Sequence, residues 1–318
     1  MLVPWEEDIK QAPSGGHICA WLTAGVRTPR LARRLFDRFE PIHAVTYFSA
    51  ACQDAMTEVG MKGFWMGYFA ARSAPFGAAA PALVEATFYN FAPTLVRRAL
   101  PDAWACATPA DVRTARSAAA AIALRQLAPE ADEYARRALP LLESAAGAAR
   151  CDGRPLAAAN QALAAAADPV ERLWQATTTL REHRGDGHVA ALVAADLSGL
   201  EAHVLLSATV VGAATPERLQ QARGWTPDQW DVAVDALRSR GLLDDGGAAT
   251  AEGHLLRVGV EASTDDIAWQ PYRDGLTDTG LDLLRTVLRP LATVVRQSGL
   301  IPFPNPIGLP DPHGDGSR

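Results

Sequence analysis

Two apolar stretches in this chain open on a histidine and read as helices: HAVTYFSAA from His43 and HVAALVAAD from His188. Each histidine stands eight residues after a leucine, in LFDRFEPIH and LREHRGDGH. Each stretch is followed by an apolar helix bounded by glycines, Gly63 to Gly77 and Gly199 to Gly212, and then by Pro81 or Pro216. LVEATFYNFAPTLVRRAL aligns with LQQARGWTPDQWDVAVDAL, and Pro140 in LPLLESAAG with Pro290 in LRPLATVV. GRPLAAANQAL and GLIPFPNPIGL close the series, with Asn160 opposite Asn305. Landmarks that recur in one order at a spacing of about 135–150 residues are the signature of a duplicated unit. The pattern predicts a mainly α chain of two copies, residues 28–165 and 170–309. An irregular N-terminal arm spans 1–27, a joint lies near 164–169, and a disordered tail spans 310–318.

The second copy is the more explicit. Thr215 and Thr226 stand where N-caps belong, with an acid or amide in the following turn. A short helix and a turn through Gly224 lie between them. Beyond Thr226, Trp230, Val234 and Leu237 share one helical face, and Gly241 marks the end. Leu242 to Asp244, a turn at Gly246-Gly247 and Ala248 to Thr250 predict a two-stranded wing. Thr250 then caps a long helix.

The run RGLLDDGGAATAEGHLLRVGVEASTDDI resembles the MarR family of winged-helix proteins: a hydrophobic strand, a turn, and a Thr-x-x-Gly start to the dimerisation helix. The resemblance covers roughly residues 190–298. The whole chain is also similar to an actinobacterial family labelled as helix-turn-helix proteins of unknown function. MarR proteins are homodimers with ligand pockets between their dimerisation and DNA-binding parts. The resemblance therefore implies a tandem winged-helix duplication folded as a single-chain pseudo-dimer. Its first copy is degenerate: FYNFAPTLVRRAL holds Pro93 in place of a reading helix, and LPDAWACATPAD replaces the wing.

Charge argues against DNA reading. The chain carries a net charge of −6, and the candidate recognition helix TPDQWDVAVDALRSR carries Asp228, Asp231 and Asp235. Phosphates would repel its first turns, and Gln229 alone is placed to reach a base edge. No uncharged apolar stretch is long enough to span a membrane. The acidic start MLVPWEED is unlike a secretion signal, and the expected compartment is the cytoplasm. Cys19, Cys52, Cys106 and Cys151 form no CxxC pair and read as free thiols. No phosphate loop, GxSxG elbow or HExxH is present.

The string Leu180 to His188 places two histidines, a Glu and an Asp among glycines, and reads as a polar loop between helices. Across the pseudo-axis lie Glu40, His43 and Tyr47. Imidazole and carboxylate from both copies suit a His-ligated transition metal or haem (candidates His43, His183, His188) or acid–base catalysis (candidates His43, His188, Glu182). The aromatic group around Trp65, Tyr68 and Tyr89, with Arg72 and Asn90 as polar anchors, suits an apolar or aromatic ligand, including a tetrapyrrole. The expected function is small-molecule binding between the copies. The ligand would contact His43, Tyr47, Trp65, Tyr68, Arg72, Tyr89, Asn90, His183, Arg184, Asp186 and His188. An enzyme using the same cleft is the alternative, and a MarR-like regulator the second alternative. The chain is expected as a monomeric pseudo-dimer or a homodimer.

Overall fold

A computed structural model describes residues 28–210, 214–305 and 307–309. The expected N-terminal arm and C-terminal tail lie outside the described residues. The structure is a set of helices: α1 (Thr28–Phe48), α2 (Ala50–Glu58), α3 (Gly63–Ser73), α4 (Pro81–Phe88), α5 (Pro93–Ala99), α6 (Ala103–Cys106), α7 (Pro109–Leu127), α8 (Ala131–Ala148), α9 (Pro155–Gln161), α10 (Pro169–Ala194), α11 (Gly199–Thr209), α12 (Pro216–Arg223), α13 (Pro227–Ser239), α14 (Ala251–Gly275) and α15 (Asp278–Gln297). No single helix among the described residues is long and apolar enough to cross a membrane.

The apolar residues sort into three clusters. The long helices α1, α7, α8, α10, α14 and α15 share a central body around Leu35, Phe39, Leu142, Leu173, Trp174 and Leu288. A first head gathers α3, α4 and α5 about Phe69, Phe88, Phe91 and Val96. A second gathers α11, α12 and α13 about Leu205, Leu219, Trp230 and Leu237. Within the body the partners cross over. Helix α1 packs on α14 and α15 from the second half, and α10 packs on α7 and α8 from the first.

The second head follows its sequence signals closely. Thr215 and Thr226 cap α12 and α13, Thr226 in a reciprocal capping box with Gln229. Gly224 closes α12 in the left-handed conformation at φ 77°. Thr250 caps α14. The wing is shorter than expected: one antiparallel bridge, Leu243 to Ala249, flanked by Asp244 N–H to Ala248 O and Thr250 N–H to Leu242 O. Two to three residues a side do not make a ladder, and no strand forms among the described residues.

The largest departure is the expected polar loop at 180–188, which is the middle of the 26-residue helix α10. Its polar side chains are buried or, at Arg181 and His188, half-buried, and most find partners on the helices around α10. Glu182 meets Arg72, Arg184 meets Asp265 at 2.6 Å, and Asp186 accepts N–H groups from Leu156 and Ala157 at 2.9 Å. Buried polar groups so satisfied no longer force the chain outward. Gly187 is there for approach, because a Cβ would stand 2.6 Å from Ile267 Cγ2.

The two heads touch at their turns. Ala92 N–H donates to Arg223 O, Trp225 Nε1–H to Asn90 O at 3.0 Å, and Tyr89 O–H to Leu197 O at 2.6 Å. Asn90 Nδ2–H donates to Gly199 O at 3.2 Å. Tyr89 and Asn90, expected to hold a ligand, instead join one head to the other.

Candidate functional site: a chamber between the first head and α10

Helical spacing builds the site. On α10, Trp174, Thr178 and Glu182 fall four residues apart and share a face; so do His43 and Tyr47 on α1, and Tyr68 and Arg72 on α3. On α3, Gly63, Gly67 and Ala71 follow the same step, so the helix turns a row of small residues toward this face. The space they leave is a chamber of about 140 Å³. Helices α1, α2, α3, α7 and α10 line it, and Arg116 is the contribution of α7. Its mouth lies at the exposed Gln53, Thr57, Gly63 and Phe64, and its floor at the buried His43, Tyr47, Arg116, Trp174 and Thr178.

A chain of hydrogen bonds fixes the floor. Thr178 Oγ1–H donates to Trp174 O at 2.8 Å, leaving its oxygen to accept. His43 Nδ1 lies 2.9 Å from that oxygen and Nε2 2.9 Å from Tyr47 Oη. Burial among arginines holds the imidazole well below its ordinary pKa, so it is neutral with one N–H. Because Thr178 has already donated, that N–H is on Nδ1, and Nε2 accepts the Tyr47 hydroxyl. Trp174 Nε1–H returns to His43 O at 3.1 Å, and the imidazole stacks on the indole at 6.0 Å. His43 is thus a fixed hydrogen-bond relay that turns the Tyr47 ring toward Tyr68, 5.3 Å away.

A charged layer lies beside the relay. Arg72 grips Glu182 with two bonds of 2.9 Å, and Arg181 adds a third at 2.7 Å. Desolvation opposes ionisation of Glu182, but the two guanidiniums outweigh it and hold the carboxyl far below the usual range. Glu40 lies 3.7 Å from Arg181, and neither of its oxygens has a hydrogen-bond partner. Burial pushes its pKa up to about 7. Arg72 also lies over the Phe88 ring at 4.1 Å.

Of the residues expected from the sequence, the structure brings His43, Tyr47, Tyr68, Arg72 and Glu182 to one chamber. Trp65 faces a separate groove with Leu95 and Arg98. His188 bonds Thr264 Oγ1 at 2.9 Å, and Arg184 and Asp186 are engaged as above. His183 is buried beside Arg150 and Gln270 without a well-formed hydrogen bond. His188 lies ten residues beyond Thr178, about 15 Å along α10, so the two imidazoles do not meet. The metal candidates His43, His183 and His188 do not converge, and no group of three His, Cys, Asp or Glu side chains among the described residues is placed to hold a metal ion. Both nitrogens of His43 are engaged, which does not suit it as an axial ligand to a haem iron. The sequence reading missed Arg116, Trp174 and Thr178. The last two were legible as the step that Glu182 continues; Arg116 is one of three arginines, with Arg113 and Arg125, in an alanine-rich helix.

Residues 32–302 match the profile of a helix-turn-helix family. The chain belongs to that family. No curated protein and no solved structure matches it. The exposed face of α13, which follows α12 and the Gly224 turn, presents Asp228, Asp231, Val232 and Asp235.

The buried imidazoles give the protein an acid limit. Burial holds His183 at about 4 and His188 and His203 at about 3, with His43 also depressed. Unfolded, each would take a proton near pH 6.5. Their contribution to stability is therefore present above that pH and lost as pH falls toward 3. Glu40, at about 7, and Asp186, raised by burial to about 6, act in the opposite sense as pH rises. Asp37 and Asp266 are raised by burial in the same sense but less strongly, so the four depressed imidazoles still predict a net gain in unfolding free energy from pH 4 to pH 7. Urea titrations across that range check this, and His203→Gln should show the shallower slope. A flat wild-type profile would contradict it.

Proposed function

We propose that this helix-turn-helix protein binds a small, flat organic molecule in the chamber between the first head and α10. The observation that carries the reading is the chamber itself. It combines aromatic walls (Tyr47, Tyr68, Trp174), a hydrogen-bond relay locked in one tautomer, and an open mouth. Ligand sites have this composition: mostly apolar walls with a few placed polar groups. A volume near 140 Å³ suits a single ring, since apolar cavities of about 150 Å³ bind benzene. A tetrapyrrole is far larger, and the haem alternative loses its support.

The body supports reading the chain as a duplicated unit folded on itself. The reciprocal packing of α1 on α14 and α15, and of α10 on α7 and α8, is what a two-fold exchange of arms produces. Under that reading the MarR-like resemblance of the second half extends to the whole, and the chamber lies where one copy's head meets the other's long helix.

Native mass spectrometry of freshly purified full-length protein tests the binding proposal. An added mass of a small organic molecule, lost on denaturation, is expected. A bare chain whose thermal midpoint no single-ring compound raises would sink it.

Regulation by DNA binding is a second reading, favoured by the family and by the exposed α13. Two features oppose it. The acidic face of α13 repels phosphate, and the heads are joined through Tyr89, Asn90 and Trp225. Paired reading heads need a spacing of about 34 Å to enter successive major grooves. Fluorescence anisotropy with duplex DNA from the protein's own upstream region is expected to show nothing tighter than the about 10⁻⁴–10⁻⁶ M of non-specific contact. Tight, steeply salt-dependent binding would overturn that expectation.

A further inference from the structure

We infer that the molecule held in the chamber is a small organic anion, and that Arg116 is the side chain that meets its charge. The inference rests on the ligand-binding reading above and names the ligand's class.

The guanidiniums around α10 differ in one respect. Arg72 and Arg181 share Glu182, Arg181 also faces Glu40, and Arg184 has Asp265. Arg116 is 4% exposed and lines the chamber, yet it reaches only neutral oxygens. These are Ala71 O at 2.6 Å, Asn160 Oδ1 at 3.1 Å and Gln175 Oε1 at 3.4 Å, and its Nε has no partner. Its guanidinium lies over the Trp174 ring at 5.3 Å. A buried cation held by neutral groups is costly, because desolvation removes hydration that dipoles replace only in part. Burial draws its pKa down to about 10, which leaves it charged at neutral pH. The carboxylate of Glu182 also lines the chamber, but two other guanidiniums already bind it.

Counted together, Arg72, Arg116 and Arg181 face Glu182 and a Glu40 whose charge is half lost near pH 7. The site therefore holds an excess of positive charge. One carboxylate or comparable monoanion on a flat apolar body balances it. The charged end would sit against Arg116 through charge-assisted hydrogen bonds, and the body between Trp174 and Tyr68.

Calorimetric titration of the full chain at pH 7 with benzoate and with benzamide, its neutral counterpart, tests this. The wild type is expected to bind benzoate at least about tenfold more tightly than benzamide. Arg116→Gln should erase that preference by weakening benzoate at least about tenfold more than benzamide, and Arg116→Lys should keep part of it. Equal affinity for both probes in the wild type overturns the anion inference and leaves the chamber standing as a ligand site. Binding of neither probe overturns both. Should Arg116→Gln fail to unfold cooperatively, the wild-type ratio decides alone.

Discussion

Replacing Glu182 by Ala is expected to lower the unfolding free energy by about 3–5 kcal/mol. Glu182 is 1% exposed and receives three short bonds, two from Arg72 and one from Arg181. Removing it leaves two guanidiniums facing one another in the interior, with Glu40 weakly placed beside Arg181 and Asp186 engaged by the start of α9. The cost comes less from the lost attraction than from stranding charge in the interior. Two comparisons identify the cause. Glu182→Gln keeps the shape but not the charge, and should lose most of the same stability. Arg72→Leu combined with Glu182→Leu should lose less than the two single changes added together. Urea unfolding at pH 7 reads all of these. A loss below about 1 kcal/mol for Glu182→Ala would mean that the cluster behaves as an exposed pair. The same carboxylate adds to the acid limit: its pKa is depressed in the folded state, so its contribution is present above the ordinary carboxylate range and lost as pH falls.

The second large effect is steric. Gly199 opens α11, where alanine would ordinarily be the better residue by about 1 kcal/mol. Here an added Cβ would stand 2.0 Å from Tyr89 O and 2.9 Å from Asn90 Cα. Both are backbone atoms of the turn that joins the heads, and neither can step aside without breaking Tyr89 O–H to Leu197 O and Asn90 Nδ2–H to Gly199 O. Gly199→Ala is expected to cost about 3 kcal/mol, the upper end of overpacking, against its own helix propensity. Gly259 supplies the control. It lies inside α14 with nothing within 4 Å of an added Cβ, so Gly259→Ala should stabilise by about 0.5–1 kcal/mol. Thermal unfolding of both variants checks the pair. Equal effects would mean that the heads do not meet at this turn.

How much of this was legible differs by region. The second head was, because its signals are local. Thr215, Thr226 and Thr250 cap, and Gly224 turns, for reasons confined to a few residues. The wing was overstated because hairpin signals fix a turn but not the length of pairing beside it. The 180–188 segment misled because polarity and glycine are the marks of a loop when only the local chain is considered. In the fold that segment is surrounded on several sides, and its partners Arg72, Asp265 and the start of α9 come from distant parts of the sequence. His43, Tyr47, Tyr68, Arg72 and Glu182 were reached through helical spacing and residue chemistry. The pairing of His43 with His188 was not a consequence of either. It rested on assuming a duplication whose axis runs between them, whereas each imidazole bonds a threonine on a different helix. Arg116 carried no signal, since it shares its alanine-rich helix with Arg113 and Arg125, and such arginines read as a solvated face until the tertiary packing buries one of them.

The central claim is that the chamber between α3 and α10 is a ligand site, and its most direct test is a crystal structure of the full chain soaked in benzoate. A ring is expected between Tyr68 and Trp174, with its carboxylate within hydrogen-bond distance of Arg116 and the His43–Tyr47 relay unmoved. A chamber that stays empty of the ring at saturating benzoate, with its walls closed together, would contradict it.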